Sequence, residues 1–196
     1  MAERRTDVGR KCDVSNDVCN AISRFRYLKV AFFDCSTLTD IQLGRVCEPG
    51  TIECLGISGT FCTNAGIATL SRLPRLQSLD AAWLEIDNDA ADALTKCRRL
   101  KHINVSATHI TDSGLRKILS NPQVSYLGCY ACSATEEEIN RLRVEFPKVT
   151  IASIELEAST LALADEHSRQ QRFPRDFRKR PPSTETEIEE IDIPIR

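Results

Sequence analysis

The chain repeats itself every 24 residues, and that interval restricts its fold more than any other property of the sequence. It aligns without gaps from Tyr27 to Pro122 in blocks 27–50, 51–74, 75–98 and 99–122, followed by 123–147, read as one residue longer. The second position of each block is Leu28, Ile52, Leu76, Leu100 and Val124. The fifth is Ala31, Leu55, Leu79, Ile103 and Leu127; the seventh is Phe33, Ile57, Ala81, Val105 and Cys129. The twelfth is Leu38, Cys62, Ile86, Ile110 and Ala134. The seventeenth and twentieth are Leu43/Val46, Ile67/Leu70, Ala91/Leu94, Leu115/Ile118 and Ile139/Leu142. So many coincident apolar columns are not a chance pattern.

Within a block, apolar residues at the fifth and seventh positions share the period of a strand and point to one side of it. Position thirteen is Thr39, Thr63, Asp87, Thr111 or Thr135, each able to accept a bond from an orphan N–H at a helix start. Thr135 and Glu138 have the spacing of a capping box. Positions seventeen, twenty and about twenty-three then lie on one helical face. Pro49, Pro74, Pro122 and Pro147 fall where those helices should stop. One such unit cannot bury its apolar side alone; stacked units close a continuous core between a parallel sheet and a layer of helices.

The run Leu100-x-x-Ile103-x-Val105-x-x-Thr108-x-Ile110-Thr111-Asp112-x-Gly114-Leu115-x-x-Ile118 resembles a leucine-rich repeat. It is most similar to the short, cysteine-tolerant subtype with an I-T-D-x-G-L helix start, found in ubiquitin-ligase adaptors and many bacterial proteins. The likeness covers about residues 14–152. In block 75–98 Trp83, Asp87-Asn88 and Ala90 stand against the usual Thr, Thr-Asp and Gly. The resemblance implies an α/β, right-handed solenoid with a parallel sheet on the concave face and helices on the convex face. It also implies a concave face that binds another protein. No catalytic residue is implied, because the family motif contains none.

The phase extends beyond the five blocks. Residues 13–26 match the second half of a block, with Ser15 at the cap and Cys19, Ile22 and Phe25 on the helix core, so they read as a half-repeat closing one end. Residues 148–155 have the phase of a terminal strand, and 156–167 are a candidate C-terminal cap. Residues 1–12 read as a disordered lead-in. Residues 168–196 read as a disordered charged tail, basic around Phe173 and Phe177 and acidic beyond Pro182. The tail is either a solvated end or a carrier of a linear interaction motif.

Composition narrows the function classes. The net charge of -2 builds in no strong pull toward nucleic acid, and no apolar run is long enough to span a bilayer. Neither a nucleic-acid nor a membrane partner is expected. Nine cysteines without an apolar leader fit a reducing, cytoplasmic setting with free thiols.

Cys129-Tyr130-Ala131-Cys132 is a C-x-x-C that could serve as a redox pair or half a zinc site. The repeat register gives it a plainer reading, since Cys129 falls in the inward seventh column and Cys132 in the tenth, with Ser36, Thr60 and Thr108. Cys54, on the outward face, is the thiol expected to be most reactive. Asp80, His102, Ser58 and Ser106 share the outward face, but an open sheet offers no enclosure for a hydrolytic triad. No catalytic, cofactor or metal site is expected.

The outward columns instead suggest a binding surface. Five strands about 4.8 Å apart present a face roughly 20–25 Å across. The expected partner-binding residues on it are Phe32, Asp34, Asp80, Trp83, His102, Asn104, Tyr126 and Tyr130, with the aromatic residues as anchors. Trp83 could equally fill the bend where the threonine is missing.

Overall fold

The computed structural model of the protein describes residues 13–153. The expectations for 1–12, 156–167 and 168–196 lie outside those residues. Six three-residue strands alternate with six helices. The strands are β1 (Val30–Phe32), β2 (Cys54–Gly56), β3 (Ser78–Asp80), β4 (His102–Asn104), β5 (Tyr126–Gly128) and β6 (Thr150–Ala152). The helices are α1 (Asn16–Ile22), α2 (Asp40–Val46), α3 (Asn64–Thr69), α4 (Asn88–Leu94), α5 (Asp112–Leu119) and α6 (Glu136–Glu145).

The strands pair in chain order, all parallel. The register runs Val30, Cys54, Ser78, His102, Tyr126, Thr150, so each step is one 24-residue block. The last step has the same length as the others, so the fifth block holds no extra residue before β6. Consecutive helices pack side by side along the stack.

The core lies between the two layers. The fifth-column residues Ala31, Leu55, Leu79, Ile103 and Leu127 are buried, and Ile151 continues the row in β6. Ile57, Ala81, Val105 and Cys129 fill the seventh column, with Phe33 half-buried at its end. Burying one Leu or Ile side chain contributes about 1.5–3 kcal/mol, and each here is covered by neighbours from adjacent blocks. Phe25 departs from its expected core role. It follows the end of α1 and is 60% exposed.

Every position-thirteen residue is the N-cap of its helix, and Ser15 caps α1. The expected capping box at Thr135 forms only in part. Thr135 Oγ1 accepts the Glu138 N–H at 3.2 Å, but Asp112 Oδ1 takes the Thr135 N–H at 2.6 Å, and Glu138 is drawn to Arg116. A capping-box contact appears instead at α2, where Gln42 Oε1 accepts the Thr39 N–H at 2.9 Å.

The chain leaves each of β1 to β5 through a left-handed residue at position nine. These are Cys35, Gly59, Trp83, Ala107 and Ala131, with φ of 55°, 63°, 58°, 54° and 51°. The conformation turns the chain while keeping the ladder going: Cys35, Gly59, Trp83 and Ala107 each donate their N–H to the position-eight carbonyl of the next block, at 2.6–2.9 Å. It costs an L-residue roughly 1–2 kcal/mol, and four of the five positions accept that cost without glycine.

Candidate binding face

The outward side of the sheet is built from positions four, six and eight. The side chains there alternate with the buried fifth and seventh, as strand geometry requires. Val30, Phe32 and Asp34 come from β1 and its exit, and Ser78 and Asp80 from β3. His102 and Asn104 lie on β4, and Tyr126 on β5 with Tyr130 just beyond it. Phe32, Asp34, Asp80, His102, Asn104 and Tyr126 are all half-buried, and Tyr130 is 39% exposed.

Two glycines shape the surface. A Cβ on Gly56 would lie 2.6 Å from both Asp34 Oδ2 and Phe32 Cδ1, so both side chains lean across β2 into that vacancy. A Cβ on Gly128 would lie 2.7 Å from Asn104 Oδ1, so Asn104 leans over β5 in the same way.

The polar side chains form a row in which each accepts a backbone N–H. Asp34 Oδ1 accepts the Ser58 N–H at 2.7 Å. Asp80 Oδ1 accepts the Ala82 N–H at 3.1 Å and an Asn104 Nδ2–H at 3.2 Å. Asn104 Oδ1 accepts the Ser106 N–H at 3.1 Å, and Ser106 Oγ accepts the Tyr130 N–H at 3.2 Å. The row thus satisfies backbone N–H groups where the strands end.

Burial pushes the Asp34 carboxyl up to about 6, against the lowering effect of its Ser58 bond, and the nearby Asp80 charge adds to the rise. Asp80 is also raised by burial, with its bonds to Ala82 and Asn104 opposing. Tyr126 is raised by burial first and by the Asp80 charge second. Among the described residues neither Asp34 nor Asp80 has an ion-pair partner.

Trp83 is placed differently from the other expected residues. It does not stand in for the missing threonine. Leu84 occupies that tenth position and is buried, while Trp83 sits at the left-handed bend with 67% of its surface exposed. Phe61, not singled out from sequence, is 55% exposed in the following loop, where the equivalent residues are Thr37, Glu85, His109 and Ser133. One large aromatic residue in an otherwise polar column was the available signal. His109 Nε2 and Glu85 Oε2 lie 3.0 Å apart along the same column.

The C-x-x-C is absorbed into the stack. Cys129 is buried and its thiol is pushed up to about 12 by that burial. Cys132 Sγ donates to the Val105 carbonyl at 3.0 Å, and burial raises it too. Thr60 and Thr108, its column neighbours, donate to the Ile57 and Val105 carbonyls of their own blocks at 2.8 and 2.7 Å, whereas Cys132 reaches the Val105 carbonyl of the preceding block. Cys54 is half-buried and raised by burial, whereas Cys35 is exposed. Thiols held protonated in this way are poor nucleophiles and poor metal ligands. Among the described residues no three His, Cys, Asp or Glu side chains gather to hold a metal ion, and no helix is long and apolar enough to cross a membrane. Two shallow depressions lie off the face, one on α6 around Arg141 and Val144, the other around Arg98 and Asn121.

No family model matches the sequence, and no curated protein matches it. Among solved structures, the crystal structure of an internalin from Listeria monocytogenes matches with a TM-score of 0.52 and 18% identity, over 73% of this chain and 45% of that one. A leucine-rich repeat protein from Leptospira interrogans matches with a TM-score of 0.46 and 15% identity, over 71% of this chain and 34% of that one. The chain spans less than half the length of either. The fold is an α/β leucine-rich-repeat solenoid, with six parallel strands in one sheet alternating with helices.

Proposed function

We propose that the protein is a non-enzymatic scaffold that binds another protein through the outward face of its sheet. The observation that carries this reading is the makeup of that face. It combines aromatic side chains (Phe32, Tyr126 and Tyr130, with Trp83 at its rim) with a fixed row of polar groups from Asp34 to Ser106. Aromatic anchors set among oriented polar groups are the usual composition of protein–protein hot spots. The backbone under them is held by the ladder, so binding would order little further chain and keep most of its contact energy.

The eight cysteines among the described residues are all free thiols, which supports a reducing compartment as the working environment. The buried C-x-x-C gives no support to a redox or metal-binding role.

The test is the double variant Tyr126→Ala/Tyr130→Ala, compared with the parent chain in affinity capture and thermal unfolding. Loss of a reproducibly captured partner at an unchanged unfolding transition supports the reading. Capture of every partner at parental levels overturns it.

A further inference from the structure

The two carboxylates of the sheet face do work that neutral residues do elsewhere on the same face. Asp34, at position eight, accepts the backbone N–H of position eight in the next block. Ser106, also at position eight, accepts the equivalent N–H of Tyr130 with a hydroxyl. Asp80, at position six, accepts the N–H two residues ahead, and Asn104 at position six accepts the equivalent N–H with an amide. The fold therefore needs an acceptor at each place but not a charge.

The charges are costly where they stand. Both carboxylates are half-buried, the Asp80 charge is close enough to raise Asp34, and neither has an ion-pair partner among the described residues. Desolvated like charges destabilise a fold unless something compensates them. The Lys29–Glu53 pair, 3.3 Å apart, lies at the starts of β1 and β2, away from the Asp34 end of the strand. Between the strands of Asp34 and Asp80 runs β2, where Gly56 pairs in register with Asp80 and leaves the space into which the Asp34 carboxylate leans. Phe32 borders the site on one side, and Tyr126 is within electrostatic reach of Asp80 on the other.

We propose that the sheet face recognises a basic segment of its protein partner, with Asp34 and Asp80 receiving one arginine side chain beside Phe32. This rests on the reading of the sheet face as a binding surface and adds the chemistry of what it binds. A guanidinium suits the site better than an ammonium. Its planar fork pairs with two carboxylates at once, and its faces stack on aromatic rings. Arginine is also less strongly hydrated, so moving it against a half-buried pair costs less.

The test uses the full chain and three short capped peptides, identical except for a central arginine, lysine or citrulline flanked by leucines. Binding is followed by the amide NMR signals of Ser58 and Ala82, whose N–H groups bond to the two carboxylates. The arginine peptide should shift both signals, more tightly than lysine, and citrulline should shift neither. Asp34→Asn/Asp80→Asn keeps both acceptors, as Asn104 and Ser106 show is sufficient, and should weaken the arginine peptide by roughly ten-fold or more. Equal binding of arginine and citrulline peptides, or equal binding by parent and double variant, overturns the proposal. So does a concentration-dependent shift of the same signals without peptide, which would assign the face to a second copy. Shifts with calcium chloride alone matching those with arginine would overturn it too. The parent chain separates the two readings: no shift with the arginine peptide while Tyr126/Tyr130-dependent capture stays intact would leave the scaffold reading standing without the arginine site.

Discussion

Asn64 and Asp87 bind each other in both directions across neighbouring blocks. Asn64 Nδ2 donates to Asp87 Oδ1 at 2.7 Å, and Asn64 Oδ1 accepts the Asp87 backbone N–H at 3.1 Å. The other helix starts carry variants of this contact. Asp40 accepts both the N–H and the hydroxyl of Thr63, at 2.8 and 2.7 Å, and Asp112 does the same for Thr135 at 2.6 and 3.0 Å. Asn88 Oδ1 accepts the Thr111 N–H at 3.1 Å. The first residue of each of α2 to α5 thus ties down the cap of the next helix. Where that cap is a hydroxyl donor, a carboxylate can face it; where it is Asp87, which only accepts, the facing residue is an amide.

This complementarity predicts a coupled pair. Asn64→Asp sets two carboxylates against each other and should destabilise the fold by about 1 kcal/mol, the scale of a partly exposed polar contact. Asp87→Thr in that background restores a donor and should recover most of the loss. A double-mutant cycle by urea unfolding measures it, and additive single effects would contradict the pairing.

The same ladder explains the glycine of the I-T-D-x-G-L run. A Cβ on Gly114 would lie 2.7 Å from Ile110 Cγ2 and closer still to Asn88 Oδ1; on Gly66 it would meet Asp40 Oδ1. Helix propensity alone makes Gly→Ala stabilising by about 1 kcal/mol. The crowding reverses the sign: Gly114→Ala should destabilise by about 1 kcal/mol or more, because a packed contact must be displaced. Thermal unfolding of the variant decides between the two, and a raised midpoint would refute the steric account.

Asp34 predicts a pH signature. An unfolded aspartate titrates near 4, whereas Asp34 in the fold is pushed up to about 6 by burial, with Asp80 adding to the rise. Between those values the folded state holds more proton than the unfolded state, so this group's contribution to stability falls as pH rises and then levels off. Asp34→Asn should therefore stabilise the protein by about 1–3 kcal/mol near pH 7.5, an advantage that disappears near pH 4. Urea midpoints of parent and variant at both pH values supply the check. An equal difference at the two ends would show that Asp34 does not titrate in this window.

The thiols make a further prediction. In folded protein at neutral pH, iodoacetamide should label exposed Cys35 ahead of the other described cysteines. Cys129, pushed up to about 12, and Cys132, also raised, should react only after unfolding. Mass-spectrometric site mapping over time tests this. Early labelling of either residue of the C-x-x-C would revive a reactive role for that motif.

Much of the fold was legible because burial and caps repeat on one interval. The register from Val30 to Tyr126, the inward columns and all five position-thirteen caps follow from it, whereas the step to Thr150 is one residue shorter than the sequence reading of the fifth block. What was hidden depended on contacts between blocks. The left-handed bend was invisible because Cys35, Trp83, Ala107 and Ala131 are not residues that announce a positive φ. The Thr135 capping box was half wrong because Asp112, a block earlier, competes for the same N–H. Phe25 has the right phase for the core but lies beyond the end of α1, where nothing among the described residues covers it. The expected face residues do share the sheet surface or its rim, yet the lean of Asp34 over Gly56, toward the strand of Asp80, emerged only from the structure.

The most direct test of the scaffold reading is site-specific photo-cross-linking. A benzophenone amino acid replaces Tyr130 on the sheet face in one chain and Lys96, exposed after α4 on the helix side, in another. The account predicts that the partner is captured covalently from position 130 and not from position 96. Capture from position 96 with none from position 130 would place the binding surface on the helices and contradict it.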